Sequence, residues 1–366
     1  MSAPATRIRR LTGAAWFPFA LMVVFAGVAA VLPLLAIDIP GVLPGPSYLP
    51  GTLQLLALCL VFSALALSYH LLFGTAGMLS FGHALYFAVG AYGVGILLQR
   101  TELPLAAAIA TTVALATVVA LALGAVSLRV AGISFAMVTL AFAQAGSVLV
   151  RRNAWITGGE EGLRLDTDNV PDFLVGVLNT RNVYWLALAV LVLVFLVVIW
   201  FERSRAGHVA VATRENETRV RVLGIRPFTI KLMTFVIASA LAALSGTIYF
   251  VLQSGTTPRA TSADLTLSLL VIVVLGGVGA RWGAIVGAFA YTLLDQRLTA
   301  LASSDAVAAL PDVLRIPLSE PLFLLGTLFI LVVLFLPGGI AGTVRRAATG
   351  RRTSRDARER LEEAER

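Results

Sequence analysis

Long apolar runs alternate with short charged segments along this chain. Ten runs approach the roughly 20 residues that a helix needs to cross a bilayer, so the pattern predicts ten membrane-spanning helices. They lie at about 15–37, 52–72, 81–98, 104–128, 133–151, 183–201, 230–252, 264–278, 282–299 and 320–337. The eighth and ninth are short, and we expect tilted, broken or re-entrant segments there, which are tolerated where protein surrounds them. The first run is longer than the apolar part of a signal peptide, so an uncleaved span is expected.

Residues 201–228 form a charged island between two of these runs, with the sequence FERSRAGHVAVATRENETRVRVLGIRPF. Basic loops between spans face the cytoplasm. Ten spans place the island, the N-terminus and the basic tail on that side together, whereas an odd number would separate the island from the tail. Apolar residues recur at helical intervals among the charges, which indicates an amphipathic helix at the membrane surface. These residues are Val209, Ala212, Val220, Leu223 and Ile225.

Composition supports the same class. The chain is 58% hydrophobic and 13% charged, whereas soluble proteins average about 25% charged residues. We predict an all-α polytopic membrane protein with about ten transmembrane helices and Gly-rich broken or re-entrant segments. Its parts are a cytoplasmic arm at 1–14, a single transmembrane domain at 15–342 that contains a cytoplasmic loop at 202–229, and a basic cytoplasmic tail at 343–366. The net charge of +8 lies in short loops and the tail, so nucleic-acid binding is rejected.

Glycines interrupt the helical pattern in three segments, at about 74–92, 131–144 and 275–291. Glycine permits close packing of helices. It also permits unwound turns, whose free backbone groups bind polar solutes in transporters. Both readings stay open for each segment. Candidate residues of a translocation path in these segments are Gly74, Thr75, Gly77, Ser80, Gly82, His83, Thr139, Gly276 and Gly277.

The sequence offers no catalytic residues and no metal site. Three His and one Cys form no metal-ligand pattern, and no HExxH or GxSxG motif is present. A Walker A loop needs Gly-Lys-Ser/Thr, but the only lysine, Lys231, stands between Ile230 and Leu232. The chain is therefore predicted not to be an enzyme, and any ATP is hydrolysed by another polypeptide. A secondary carrier is disfavoured because no carboxylate pair lies within a span, and a membrane-embedded enzyme lacks a nucleophile.

Several passages, taken in order, resemble one family. The segments GTAGMLSFGHALYFAVGAY, GISFAMVTLAFAQ, ITGGEEGL and SRAGHVAVATRENETRVRVLGIRPF, followed by GGVGARWGAIVGA and LPGGIAG, are similar to the signatures of LivM-type permeases. These are membrane subunits of ABC importers for branched-chain amino acids. The chain departs from the pattern at Phe73, Glu161, His208 and Thr218-Arg219, and related permeases carry urea or short amides. The resemblance thus supports the transporter class more firmly than the solute.

The resemblance implies an assembly in a bacterial cytoplasmic (inner) membrane, with both termini cytoplasmic. A LivH-like second permease, two ABC ATPase subunits and an extracytoplasmic solute-binding protein are the expected partners, besides the small-molecule substrate and membrane lipid. ATP and Mg²⁺ would bind the ATPase subunits, with no cofactor on this chain. The residues expected to couple to the ATPase are Arg214, Glu215, Asn216, Glu217 and Gly224. The external TGG motif is Thr157, Gly158 and Gly159. The favoured solute is a branched-chain or related hydrophobic amino acid, and urea or a short amide is the alternative.

Overall fold

The computed structural model describes residues 17–37, 43–302, 320–335 and 338–343. The predicted arm at 1–14, most of the tail and the 303–319 segment lie outside the described residues. Besides a helical stretch at 339–343, thirteen α-helices are formed in the part that is described. They are α1 (Phe17–Val31), α2 (Pro50–His70), α3 (His83–Arg100), α4 (Leu105–Ser127), α5 (Ile133–Arg152), α6 (Ala154–Thr157), α7 (Thr180–Arg203), α8 (Arg205–Glu215), α9 (Glu217–Val222), α10 (Pro227–Leu252), α11 (Ala263–Gly276), α12 (Arg281–Ala302) and α13 (Pro321–Phe335).

Shorter elements join the helices. A π-helical turn, Leu71–Thr75, continues α2. Single 3₁₀ turns occupy Leu32–Leu34, Gly159–Glu161, Asp172–Leu174, Val177–Asn179 and Pro258–Thr261. Two short strands, β1 (Leu163–Arg164) and β2 (Gly255–Thr256), pair antiparallel. This pairing ties the α6–α7 connection to the end of α10.

Each of the ten predicted spans falls on a helix, with bounds that agree within a few residues. The all-α membrane class is confirmed, but a count of ten crossings is not. Five helical segments in the described chain are long and apolar enough to span a membrane, and a sixth is reached if the α11–α12 pair counts as one. α1 and α13 have 15 residues each, or about 22 Å, which is shorter than the about 30 Å hydrocarbon core.

The α11–α12 pair is bent by 118° at the 277–280 turn. The predicted eighth and ninth spans are therefore interrupted, as expected from their length. Gly276 packs so closely on Gly283 that a Cβ on Gly276 would collide with the Gly283 carbonyl. Small residues thus allow the two backbones to meet at the bend.

Helix α2 lies at the centre of the bundle, packed against α7, α10 and α12. Sixteen of its 21 residues are buried, which explains why it is apolar all round rather than amphipathic. By contrast, α4 and α5 leave most of their surface uncovered. Uncovered apolar surface of this kind is typical of membrane-spanning helices.

The charged island lies between α7 and α10 and forms α8 and α9. We call the end of the bundle that carries residues 204–226 the loop end. The single amphipathic helix predicted there is wrong, because the chain breaks at Asn216. Val220 is buried, whereas Leu223 is 76% exposed. The five apolar residues of the island therefore do not share one buried face.

Candidate functional site

The first Gly-rich segment carries an interrupted helix into the protein interior. After the π-helical turn, residues 76–82 are irregular, and α3 begins at His83. Ser80 and His83 are both fully buried. π-Helical turns within α-helices occur frequently at functional sites. The predicted unwound turn is therefore present in this segment.

His83 is held by the last turns of α2. Its Nε2 hydrogen-bonds Ser68 Oγ at 2.8 Å, and its ring lies 5.3 Å from the Tyr69 ring. The Tyr69 hydroxyl donates to the Ser80 carbonyl at 3.2 Å. These contacts fasten the irregular segment against α2. His83 Nδ1 is buried without a hydrogen-bond partner among the described residues.

Two threonines from other helices cap the start of α3. The Phe81 N–H donates to Thr139 Oγ1 at 3.1 Å, and the Ala84 N–H donates to Thr266 Oγ1 at 3.1 Å. A Cβ on Gly82 would lie 2.5 Å from the Thr139 carbonyl oxygen. Gly82 thus lets α5 approach the turn. Of the predicted path residues, Ser80, Gly82, His83 and Thr139 are brought together here.

The other predicted path residues lie elsewhere. Gly74, Thr75 and Gly77 line the loop end, as described below. Gly276 and Gly277 lie at the α11–α12 bend, where a Cβ on Gly276 would meet Gly283 and a Cβ on Gly277 would meet Gly338.

The island is capped at each of its helices. Ser204 Oγ accepts from the Gly207 N–H at 3.1 Å at the start of α8. Asn216 Oδ1 accepts from the Arg219 N–H at 3.0 Å at the start of α9. Gly224 has a φ of +79° just after α9, a conformation that glycine adopts without strain at a helix C-terminus. Asn216 and Gly224 therefore define where α9 starts and stops.

Arg214 connects the island to the Gly-rich segment. Its guanidinium donates to the backbone carbonyl of Gly74. Gly77 has a φ of +69°, and a Cβ there would lie 2.6 Å from Arg214 Cγ. The glycine at 77 thus makes room for the arginine stem. A cavity of about 610 Å³ opens beside this contact, lined by both residues and by the α4–α5 turn.

Glu202 forms a second link at the loop end, which the sequence analysis missed. It lies in the last turn of α7, and its side chain is 16% exposed. Oε1 accepts from His70 Nε2 at 3.2 Å and from Thr75 Oγ1 at 3.0 Å. Oε2 pairs with Arg281 Nε at 3.0 Å. We call these four residues the Glu202 cluster. The sequence feature that could have indicated Glu202 is an acidic residue directly after an apolar run, at the edge of a basic island.

The Glu202 cluster joins three parts of the fold. His70 and Thr75 belong to the end of α2, and Arg281 is the first residue of α12 after the bend. A Cβ on Gly74 would collide with the His70 ring. The island therefore contacts α2 through Arg214, and α2 contacts α7 and α12 through the cluster.

Glu217 anchors α9 to α10. Its carboxylate pairs with Lys231 Nζ and with Arg221 Nη2, both at 2.6 Å. These cations, Lys231 first, hold the pKa of Glu217 below its usual range. Glu215, in contrast, is exposed on α8. Of the predicted RENE residues, Arg214, Asn216 and Glu217 thus have contacts within the chain, and Glu215 faces outward.

The TGG motif shapes a tight turn at the opposite end of the bundle. Thr157 Oγ1 donates to the Val150 carbonyl at 2.6 Å, and Gly158 and Gly159 have positive φ angles of 73° and 57°. A Cβ on Gly158 would collide with the Gly162 carbonyl. These contacts set the backbone conformation of the turn. Within the described residues, no group of three His, Cys, Asp or Glu is placed to hold a metal ion.

Comparison with known proteins identifies a family. Residues 51–335 match the family model described as the permease component of branched-chain amino acid transport systems. The chain is 28% identical over 264 residues to the high-affinity branched-chain amino acid transport system permease protein LivM of Escherichia coli (strain K12), covering 65% of this chain and 61% of that protein. It is 27% identical over 321 residues to the probable LivM of Methanocaldococcus jannaschii, covering 76% and 90%.

A second group of relatives has a different named role. The chain is 30% identical over 181 residues to the autoinducer 2 import system permease protein LsrC of Yersinia pseudotuberculosis serotype O:1b, covering 48% of each chain. No solved structure matches the chain. Because the family model spans well over half of its residues, this protein belongs to the family of permease components of branched-chain amino acid transport systems.

Proposed function

We propose that this chain is the permease subunit of an ATP-driven ABC importer for branched-chain or related hydrophobic amino acids. A LivH-like second permease would complete the membrane pathway, two ABC ATPase subunits would bind ATP and Mg²⁺, and an extracytoplasmic binding protein would deliver the solute. The chain itself carries no cofactor and no catalytic residue. The loop end and both termini would face the cytoplasm of a bacterial inner membrane.

The contact between Arg214 and Gly74 carries this proposal. It joins an exposed, charged loop to the irregular segment that interrupts α2 and α3. A push on α8 is therefore transmitted to backbone inside the bundle. The Glu202 cluster extends the same connection to α12. An energy-coupling loop requires this arrangement, because the ATPase cannot reach the membrane interior.

The island also offers a surface to a partner. Val222 and Leu223, at the C-terminal end of α9, are 83% and 76% exposed, and Glu215 is exposed on α8. Water-exposed apolar residues beside charges are typical of protein contact sites. This surface would bind the ATPase, with Glu217 and Asn216 keeping its shape.

The solute is inferred from relatives that cover 65% and 76% of this chain and whose names specify branched-chain amino acids. The shorter match to an autoinducer 2 import permease makes a different small polar solute the second candidate. Urea and short amides are further candidate solutes.

Uptake by the host bacterium tests the proposal. A strain that lacks this chain is compared with the same strain complemented by it, using radiolabelled leucine, isoleucine, valine, urea, acetamide and autoinducer 2. We expect complementation to restore uptake of the three amino acids alone. If uptake of urea, acetamide or autoinducer 2 is restored instead, the assignment of the solute is wrong.

The assembly is tested separately. The tagged chain is purified from native membranes in mild detergent, and the proteins that co-purify are identified by mass spectrometry. A second permease and P-loop ATPases are expected. Recovery of the chain alone, under conditions that retain other ABC complexes, would contradict ATP-driven transport.

A further inference from the structure

Three glutamines meet at a cavity at the end of the bundle opposite to the loop end. The cavity has a volume of about 240 Å³ and is lined by Gly51, Gln54, Leu55, Leu58, Gln253 and Gln296. The chain has only five glutamines. Three of them thus converge from α2, from the end of α10 and from α12.

The lining of the cavity is mainly polar, and Leu55 and Leu58 contribute only a small part of it. The four residues from α2 follow the i, i+3, i+4, i+7 spacing of a single helix face, with Leu55 and Leu58 deeper along the helix than Gln54. Gln54 Nε2 donates to Gln253 Oε1 at 3.2 Å. None of the lining side chains carries a charge. A ligand with a net charge would find no counter-ion there.

Amide side chains can satisfy both charged groups of a zwitterion, because each offers two N–H donors and a carbonyl acceptor. The adjoining helix ends have the same complementarity. Gly51 lies in the first turn of α2, where backbone N–H groups have no partner within the helix, and Gln253 is the residue that ends α10. A helix N-terminus favours a carboxylate, and a helix C-terminus favours a cation.

We infer that this cavity is a binding subsite for the ammonium and carboxylate groups of a zwitterionic α-amino acid. The carboxylate and ammonium groups bind the Gln54, Gln253 and Gln296 amides. The volume is below the about 300–1,000 Å³ of pockets for drug-sized ligands, so the site suits an amino acid. The inference rests on the proposed function, which places this end outside the cytoplasm, where solute arrives.

Thiol protection tests the subsite directly. The chain's single cysteine, Cys59, is fully buried, so a Cys59→Ala background leaves no native thiol to label. Gln253→Cys is introduced into that background, and cells are treated with a membrane-impermeant methanethiosulfonate reagent with and without leucine. Protection follows 1 + [L]/Kd, so labelling should slow about tenfold when leucine is at ten times its Kd.

Gln99→Cys is the matched control. Gln99 is an exposed glutamine at the same end, whose amide donates to the Arg164 carbonyl at 2.8 Å, but it does not line the cavity. Labelling there should not respond to leucine. The assay is repeated in energy-depleted cells, where no transport cycle can change accessibility. If Gln253→Cys prevents membrane assembly, Gln296→Cys takes its place.

The outcomes separate this inference from the proposed function. Leucine protection at position 253 without protection at position 99 supports the subsite. Equal labelling with and without leucine, in cells whose native chain imports leucine, overturns the subsite and leaves the transport proposal intact. Protection by acetamide but not by leucine overturns the zwitterion assignment. If the native chain does not import leucine, the uptake assay shows this independently of the labelling experiment, and the proposed function is then wrong.

Discussion

The Glu202 cluster supports a quantitative prediction about coupling. The change is Glu202→Gln, which keeps the size of the side chain and removes its charge. One amide oxygen can still accept from His70 and Thr75. The amide nitrogen then faces the Arg281 guanidinium, and two donors oppose each other where the ion pair stood at 3.0 Å.

The structure sets the size of the effect. Glu202 is 16% exposed and Arg281 is 32% exposed at their side chains, so the pair lies between a surface pair and a buried one. Exposed pairs contribute about 0–1 kcal/mol, and breaking a buried pair costs about 3–5 kcal/mol. We expect the packed arrangement of α2, α7 and α12 to lose about 2 kcal/mol of stability relative to arrangements in which these helices separate. This loss changes the equilibrium constant between the two about 30-fold.

The assay is leucine uptake per ATP hydrolysed, measured on the assembled transporter in proteoliposomes. Glu202→Gln should lower this ratio because the loop end moves without carrying α12 along. Arg281→Gln should do the same, and the double variant should lose less than the sum of the two. Glu160→Gln is the matched control, because its pair with Arg151 is solvent-exposed, at 68% and 45%. It should leave the ratio unchanged.

Native coupling in Glu202→Gln, Arg281→Gln and the double variant would refute the reasoning. Additive losses would also count against it, since they would mean that the two residues act separately.

Three further predictions concern the loop end. Gly77→Ala should lower transport, because its φ of +69° and the Arg214 stem leave no room for a methyl group; native uptake rates would contradict the contact. Gly224→Val should uncouple ATPase stimulation from uptake while the chain still inserts in membranes, because α9 loses its stop, and normal uptake would show that the assignment of the coupling loop is wrong. The lowered pKa of Glu217 means that its contribution to α9 docking is present above the unfolded pKa near 4.5 and is lost as the pH falls through the lower folded value. Hydrogen exchange of α9 against pH should show this loss, and Lys231→Met should move it to higher pH; a pH-independent α9 would oppose the prediction.

Helix positions were predictable because the bilayer sets a length that apolar runs reveal directly. The bounds of α4 and α5 agree with their runs almost residue for residue. The number of membrane crossings was harder to predict from the sequence, since α1 and α13 are short and the α11–α12 pair bends by 118°. Whether a short apolar helix spans a bilayer depends on what surrounds it, and hydropathy does not record that.

The same distinction applies to the candidate site. Backbone-driven features follow from local sequence, such as the irregular turn before His83 and the cap at Asn216. The single amphipathic helix was predicted in error because apolar spacing does not reveal a break that a capping side chain imposes.

The sequence by itself determined the membrane class, the places of the helices, the charged loop and the family, since these depend on local composition and on motifs in order. Only the tertiary structure decided that Glu202 meets His70 across 132 residues and that Gln54 meets Gln253 across 199. Each of these side chains is unremarkable in its own segment. Their partners are chosen by how the helices pack, because packing brings together groups that local propensity leaves independent.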